Sequence, residues 1–168
     1  PYLEVAAAVA DWSDRRDGFE PGHPERVANF AAMIADEFGL ADGETAALLR
    51  AAMLHDIGKV ALPIEVLRRK GPLEENQLRM LRTHAERGAA ILRALDKDEV
   101  VADTILYHHE NVDGGGYFGR KGDTIPRAAR ILAVAEGFDA MTTSLVRKRL
   151  TPEAAIGRMR EGRGTQWD

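Results

Sequence analysis

The sequence predicts an all-α protein, a bundle of roughly six to eight helices joined by short loops. Two observations carry that expectation. Apolar residues recur three and four positions apart along almost the whole chain, the spacing that lines one face of a helix. No segment alternates convincingly as a strand. There is no internal repeat and no low-complexity linker.

Leu3–Ala10 reads as the tail of a helix with no start signal, and Arg15–Gly22 as a polar loop. Pro24 suits the first position of a helix whose apolar stripe is Val27, Phe30, Ala31, Ile34 and Phe38, and which ends at Gly39. Asp42 is placed to cap the next helix, with Ala46, Leu49, Met53 and Leu54 facing inward. That helix runs to His55-Asp56 and stops near Gly58. Pro63–Arg69 reads as a short helix closed by Gly71-Pro72. Glu74–Leu95 is helical, with an interruption expected around Thr83–Gly88. Glu99–His109 follows, then Asp113-Gly114-Gly115-Gly116, which regular structure does not accommodate. Pro126–Thr143 reads as a long apolar helix. Thr151-Pro152 supplies a cap and a first turn for a last helix through Arg160.

Residues 1–168 are read as one domain, long enough to bury a real core. A hydrophobic fraction of 45% and a charged fraction of 30% are ordinary for a globular protein. The absence of cysteine excludes disulfides, thiolate catalysis and sulfur-ligated metals. No apolar run reaches the roughly 20 residues needed to cross a bilayer, and the apolar start lacks a signal peptide's basic residues. The expected location is therefore the cytoplasm. A net charge of −4 argues against a general binder of DNA or RNA polymers.

What composition leaves open is five histidines: His23, His55, His84, His108 and His109. Each falls at or beside an expected helix end, facing a polar or Gly-rich loop. Helix ends let a bundle aim several side chains at one point without burying charge in mid-core. A lone histidine is more often a capped core residue than a ligand. An adjacent pair such as His108-His109 favours a metal, since imidazole is a common metal ligand. Spacing alone supplies no tight metal motif here.

The run His55-Asp56-Ile57-Gly58-Lys59 resembles the HD-x-G-K signature of the HD superfamily of metal-dependent phosphohydrolases. His108-His109-Glu110-Asn111-Val112-Asp113-Gly114-Gly115-Gly116-Tyr117 resembles the HHE-x-x-DG-x-GYP signature of the HD-GYP subgroup. Residues 22–27 (GHPERV) and 83–89 (THAERGA) resemble that subgroup's first and third histidine motifs, and residues 129–135 lead into its last. Order and spacing match from about Leu3 to Asp168.

The resemblance implies a helical bundle of the HD type holding two divalent metal ions, iron or manganese above others, that hydrolyses cyclic di-GMP to linear pGpG and onward to GMP. It assigns His23, His55, Asp56 and Glu136 to one ion, with Asp56 bridging to a second ion held by His84, His108 and His109. A bridging water deprotonated near neutral pH would be the nucleophile. Asp56 and Lys59 take the catalytic roles, Lys59 offsetting charge on the phosphate. Lys59, Asp139, Arg147, Lys148, Gly116 and Tyr117 are the implied substrate contacts, with Asp139 either contacting the guanine or orienting the site. A third ion in some members uses a Glu four residues before the first histidine; Phe19 stands there, so two ions are expected. The family also implies an upstream sensory or receiver domain and diguanylate cyclase domains as partners, and leaves oligomerisation open. A chain that starts in mid-helix and ends in an unfinished loop fits a domain of a longer signalling protein.

Four departures bear on substrate affinity and rate. Phe118 replaces the proline of Gly-Tyr-Pro and does not fix φ, so a less rigid loop is expected. Glu136 replaces an aspartate ligand and reaches one methylene further. Leu145 replaces an arginine suited to bidentate phosphate binding. The segment from Ser144 to Leu150 is one residue short. They motivate one alternative, a non-catalytic regulatory module that binds nucleotide or a partner protein. A non-heme di-iron oxygen sensor is another, for which Lys59 and the Gly-rich loop would have no purpose.

Overall fold

A computed structural model describes Glu4, Ala8, Val9, Trp12 and residues 21–68, 71–95, 97–143 and 148–168. The described residues form seven helices: α1 (His23–Glu37), α2 (Asp42–Leu54), α3 (Ile64–Leu67), α4 (Glu75–Leu95), α5 (Glu99–Tyr107), α6 (Arg127–Thr143) and α7 (Pro152–Glu161). Tight 3-10 turns occupy Ile57–Ala61 and Gly122–Thr124. The only strand-like pairing among the described residues is an isolated bridge between Arg163 and Trp167. Glu4, Ala8, Val9 and Trp12 are helical, in keeping with the helix expected at the start. The fold is the expected all-α bundle. No described helix is long and apolar enough to cross a membrane.

The core joins α1, α2, α4, α5 and α6 through Val27, Ala31, Leu48, Ala51, Ala52, Leu92, Val101, Ile105, Leu132 and Ala135. Many of these are alanines, which let helix backbones approach closely before side chains touch. Thr151 caps α7 with its hydroxyl on the Ala154 N–H, as the Thr-Pro pair predicts. Asp98 caps α5 by accepting from the Val100 and Val101 N–H groups, and ties it to α2 through Arg50.

Several local expectations are corrected. The N-cap of α2 is Ala41, whose N–H donates to Glu44, so Asp42 lies inside the first turn. Its buried residues are Ala47, Leu48, Ala51, Ala52 and Leu54; Leu49 and Met53 pack partly buried against the core as expected, but Ala46 is exposed. Phe38 is outside the core, 65% exposed beneath the Arg127 guanidinium. The short helix after Pro63 is a single turn, and α5 stops at Tyr107 rather than His109.

The largest correction is that α4 runs unbroken through Thr83–Gly88. Gly88 makes no break there; it admits a neighbour. A Cβ on Gly58 would stand 2.0 Å from the His84 carbonyl oxygen and 2.6 Å from the Gly88 nitrogen. The turn after His55-Asp56 therefore packs directly on the α4 backbone, and only glycine at position 58 permits it.

Candidate metal centre

The five histidines come from four separate stretches of chain. His23 opens α1, His55 ends α2, His84 lies in mid-α4, and His108 and His109 follow α5. The 58–88 backbone contact draws the His55-Asp56 turn against α4, and α5 also packs on α4, with Ile105 close to Gly88. The imidazoles form a chain: His23 to His55 at 5.2 Å between ring centroids, His55 to His108 at 5.4 Å, His108 to His84 at 5.5 Å and His84 to His109 at 5.0 Å.

The potential ligand atoms fall into two groups, His23 with His55 and Asp56, and His84 with His108 and His109, each within 4.8 Å. Asp56 stands between them, with Oδ2 3.4 Å from His55 Nε2 and Oδ1 3.4 Å from His84 Nε2. Glu136 Oε2 lies 3.9 Å from both His108 Nε2 and His109 Nδ1, facing the second group. The resemblance assigned Glu136 to the first group, and its charge also bears on His55 of that group. The longer side chain reaches across from α6.

What holds each ring explains which nitrogen it presents. His55, His84 and His108 each direct Nδ1 at the backbone carbonyl three residues earlier, Ala52, Leu81 and Ile105, at 2.6–2.8 Å. A carbonyl only accepts, so Nδ1 carries the proton and Nε2 faces the centre. His23 is held differently: its Nδ1 meets Asp139 Oδ2 at 2.7 Å. Arg26 grips the same carboxylate through Nε at 2.6 Å and Nη2 at 3.1 Å, and Thr143 adds its hydroxyl.

A cation fits this donor set. The Nε2 atoms of His55, His84 and His108 and the Oδ1 of Asp56 are buried with no hydrogen-bond partner. Leaving such groups unsatisfied costs ~1–3 kcal/mol each, and divalent ions bound through imidazole and carboxylate would satisfy them together.

The electrostatics keep most of the set ready to ligate. Burial and the neighbouring His109, His108 and Lys59 push His84 down to about 3, although Asp56 pulls the other way. Burial likewise lowers His108 and His109. At His55 burial also works downward, but Asp56, Glu136 and the Ala52 carbonyl prevail and raise it to about 9. Burial would raise Asp56, yet Lys59, His55 and His84 hold it well below the usual carboxylate range. Asp139 behaves alike, with His23 and Arg26 outweighing burial.

Other expected residues separate into those near the centre and those elsewhere. Lys59 is buried with Nζ 2.5 Å from Asp56 Oδ2. Tyr117 lies with its ring 4.6 Å from His109 and 6.2 Å from His84, and Gly116 beside it is pressed onto the backbone of residues 109–111. Burial, Glu136 and Asp56 raise the Tyr117 hydroxyl to about 12, so it stays protonated. Asp139, expected to touch substrate or orient the site, is fully buried, and its oxygens are engaged by His23, Arg26 and Thr143. Lys148 is exposed, and Arg147, Leu145, Ser144 and Phe19 lie outside the described residues. In the loop expected to be less rigid at Phe118, the Phe118 N–H donates to Glu110.

Three residues were not singled out by sequence reading. Arg26 and Glu110 sit within quoted motifs, but their partners are 113 and 8 positions away. Arg82 is exposed, with its guanidinium 5.2 Å from the Tyr117 ring centroid.

Residues 9–168 match the family model described as HD domain. The chain is 35% identical over 98% of its length to the cyclic di-GMP phosphodiesterase response regulator RpfG of Xanthomonas campestris, covering 45% of that protein. It is 34% identical over 99% of its length to 3'3'-cGAMP-specific phosphodiesterase 3 of Vibrio cholerae, covering 37% of it. The chain thus spans less than half the length of these relatives. Among solved structures it is similar to a cyclic GMP-AMP specific phosphodiesterase of V. cholerae, with TM-score 0.75 and 22% identity over 99% of this chain and 45% of that one. An HDG"Y"P protein of Bdellovibrio bacteriovorus gives TM-score 0.72 and 21% identity over 87% of this chain and 47% of that one. These likenesses speak for the fold, and the family match covers nearly the whole sequence: the chain belongs to the HD domain family.

Proposed function

We propose that this domain is a metal-dependent phosphodiesterase that hydrolyses a cyclic dinucleotide, cyclic di-GMP or a close relative, to the linear dinucleotide and onward to mononucleotide. The observation that carries the reading is Asp56 lying 3.4 Å from an imidazole of each three-residue donor group. Relatives named for cyclic di-GMP and for 3'3'-cGAMP support the substrate class.

His23, His55 and Asp56 would hold one divalent ion, and His84, His108 and His109 a second, with Asp56 shared and Glu136 at its edge. Iron or manganese suits this mixed nitrogen and oxygen set. When bound, the ions supply Lewis acidity and lower the pKa of water towards neutral. The chain's own residues do the rest. Asp139 and Arg26 fix the tautomer and direction of His23. Lys59, 2.5 Å from Asp56, brings a positive charge to the place where an anionic phosphate must sit. Tyr117 stacks against His109 and walls one side, and Arg82 above it offers a guanidinium to a phosphate or a base. Lys148 and Arg147 are further candidate phosphate contacts. An upstream sensory or receiver domain and a diguanylate cyclase partner belong to the same proposal. The test measures bound metal and hydrolysis of cyclic di-GMP and 3'3'-cGAMP on one sample, beside Asp56→Ala. Turnover in the parent, lost with the metal in the variant, supports the reading.

A further inference from the structure

Glu110 is a buried carboxylate, 4% exposed, standing directly after the His108-His109 pair. Its Oε1 accepts the Phe118 N–H at 2.5 Å, and its Oε2 is buried with no hydrogen-bond partner. A carboxylate kept in that state is costly to fold around. The loop it meets is pressed close: a Cβ on Gly116 would stand 2.4 Å from Glu110 Cα, 2.6 Å from the Asn111 nitrogen and 2.7 Å from the His109 carbonyl oxygen. Asp113 closes the loop's near side by accepting the Gly115 N–H at 2.7 Å. The Phe118 ring meets Tyr107 edge to face at 5.8 Å. Tyr117 stands between the glycine contact and the amide contact, with its ring over His109.

We propose that the Glu110 carboxylate is a positioning residue, a latch on the Phe118 amide that sets Tyr117 over the imidazoles. Glu110 acts through the loop backbone, whose Phe118 N–H it holds. Its effect on binding rests on the reading of Tyr117 as a wall of the substrate cleft; its effect on the loop does not.

Three single variants of the full chain, with metal bound, separate this from a merely structural role. Phe118→Pro removes the N–H donor, Glu110→Ala removes the acceptor, and Glu110→Gln keeps an acceptor oxygen. Amide hydrogen exchange of residues 114–120 should speed up about tenfold in the first two, the effect of losing one hydrogen bond to a charged group, and stay near the parent in Glu110→Gln. The double variant Glu110→Ala/Phe118→Pro should exchange no faster than the faster single, because both changes remove one bond. KM for cyclic di-GMP should rise in the same order, with kcat held within about twofold, as expected for a lost binding contact. A lowered melting temperature with unchanged loop exchange and unchanged KM would overturn the latch, as would fully additive effects. A parent protein that hydrolyses no cyclic dinucleotide would defeat the functional reading, while the exchange measurement would still decide the latch.

Discussion

His23 and Asp139 stand 116 positions apart in the chain and 2.7 Å apart in the fold, Nδ1 to Oδ2. The other three anchored imidazoles, His55, His84 and His108, lean on neutral backbone carbonyls; His23 alone leans on a carboxylate, itself clamped by Arg26. A carboxylate behind an imidazole fixes its tautomer and makes it a stronger ligand. Asp139→Asn keeps the shape and removes the charge. It should weaken metal retention by about 10–100-fold, read as bound ion per chain against a graded chelator, with the helical circular dichroism unchanged. Equal retention at every chelator concentration would show that the carboxylate does nothing for the centre.

Gly58 makes a steric prediction. In Gly58→Ala the new Cβ would stand 2.0 Å from the His84 carbonyl oxygen, in a contact between two backbones that cannot yield as a side chain could. Overpacking costs ~1–3 kcal/mol or more, so the melting temperature should fall by about 5–10 °C for a chain of this size. Gly88→Ala, whose Cβ would meet Ile105 Cγ2 at 3.1 Å, should lose less. Calorimetry of both variants checks the order.

These glycines also mark how far the sequence could be read. Local structure was legible where local chemistry decides it, as in the helix start at Thr151-Pro152 or the loop of glycines before Tyr117. The break expected in α4 failed because Gly88 serves a contact with Gly58, thirty positions away by sequence number, and no local pattern encodes that. In α2 only Ala46 was misplaced, because in an alanine-rich helix small exposed and small buried residues look alike. The motifs pointed to all five histidines. What they could not give is the partner behind each Nδ1, since Asp139 reaches His23 only through the packing of α6 on α1.

Arg82 should matter to binding more than to chemistry. It is exposed over Tyr117, beyond the donor groups. Arg82→Ala should raise KM for cyclic di-GMP by about tenfold, the worth of a charge-assisted hydrogen bond, and change kcat little. Steady-state kinetics decide it, and an unaltered KM would remove Arg82 from the substrate surface.

The metal-free protein should lose stability on mild acidification. His84 is held down to about 3 against its ordinary 6.5, by burial first and by neighbouring positive charge next, and His108 and His109 shift the same way. A group lowered in the folded state contributes stability above its unfolded pKa and loses it as pH falls towards the folded value. His84 alone should therefore cost on the order of 2 kcal/mol between pH 6.5 and about 5. His55, raised to about 9, acts in the other window: its contribution is complete below 6.5 and fades as pH rises to 9. Melting temperatures of the metal-free protein should fall below pH 6.5, and a flat profile down to pH 5 would contradict the neutral, buried imidazoles described above.

The central claim is that Asp56 joins two metal-binding groups into one hydrolytic centre. One preparation tests it: the chain loaded with manganese or iron, its bound ions counted, then given cyclic di-GMP and 3'3'-cGAMP. The account predicts two ions per chain and conversion to linear dinucleotide, with Asp56→Ala losing turnover and at least one ion. A fully loaded protein that leaves both cyclic dinucleotides intact would contradict it.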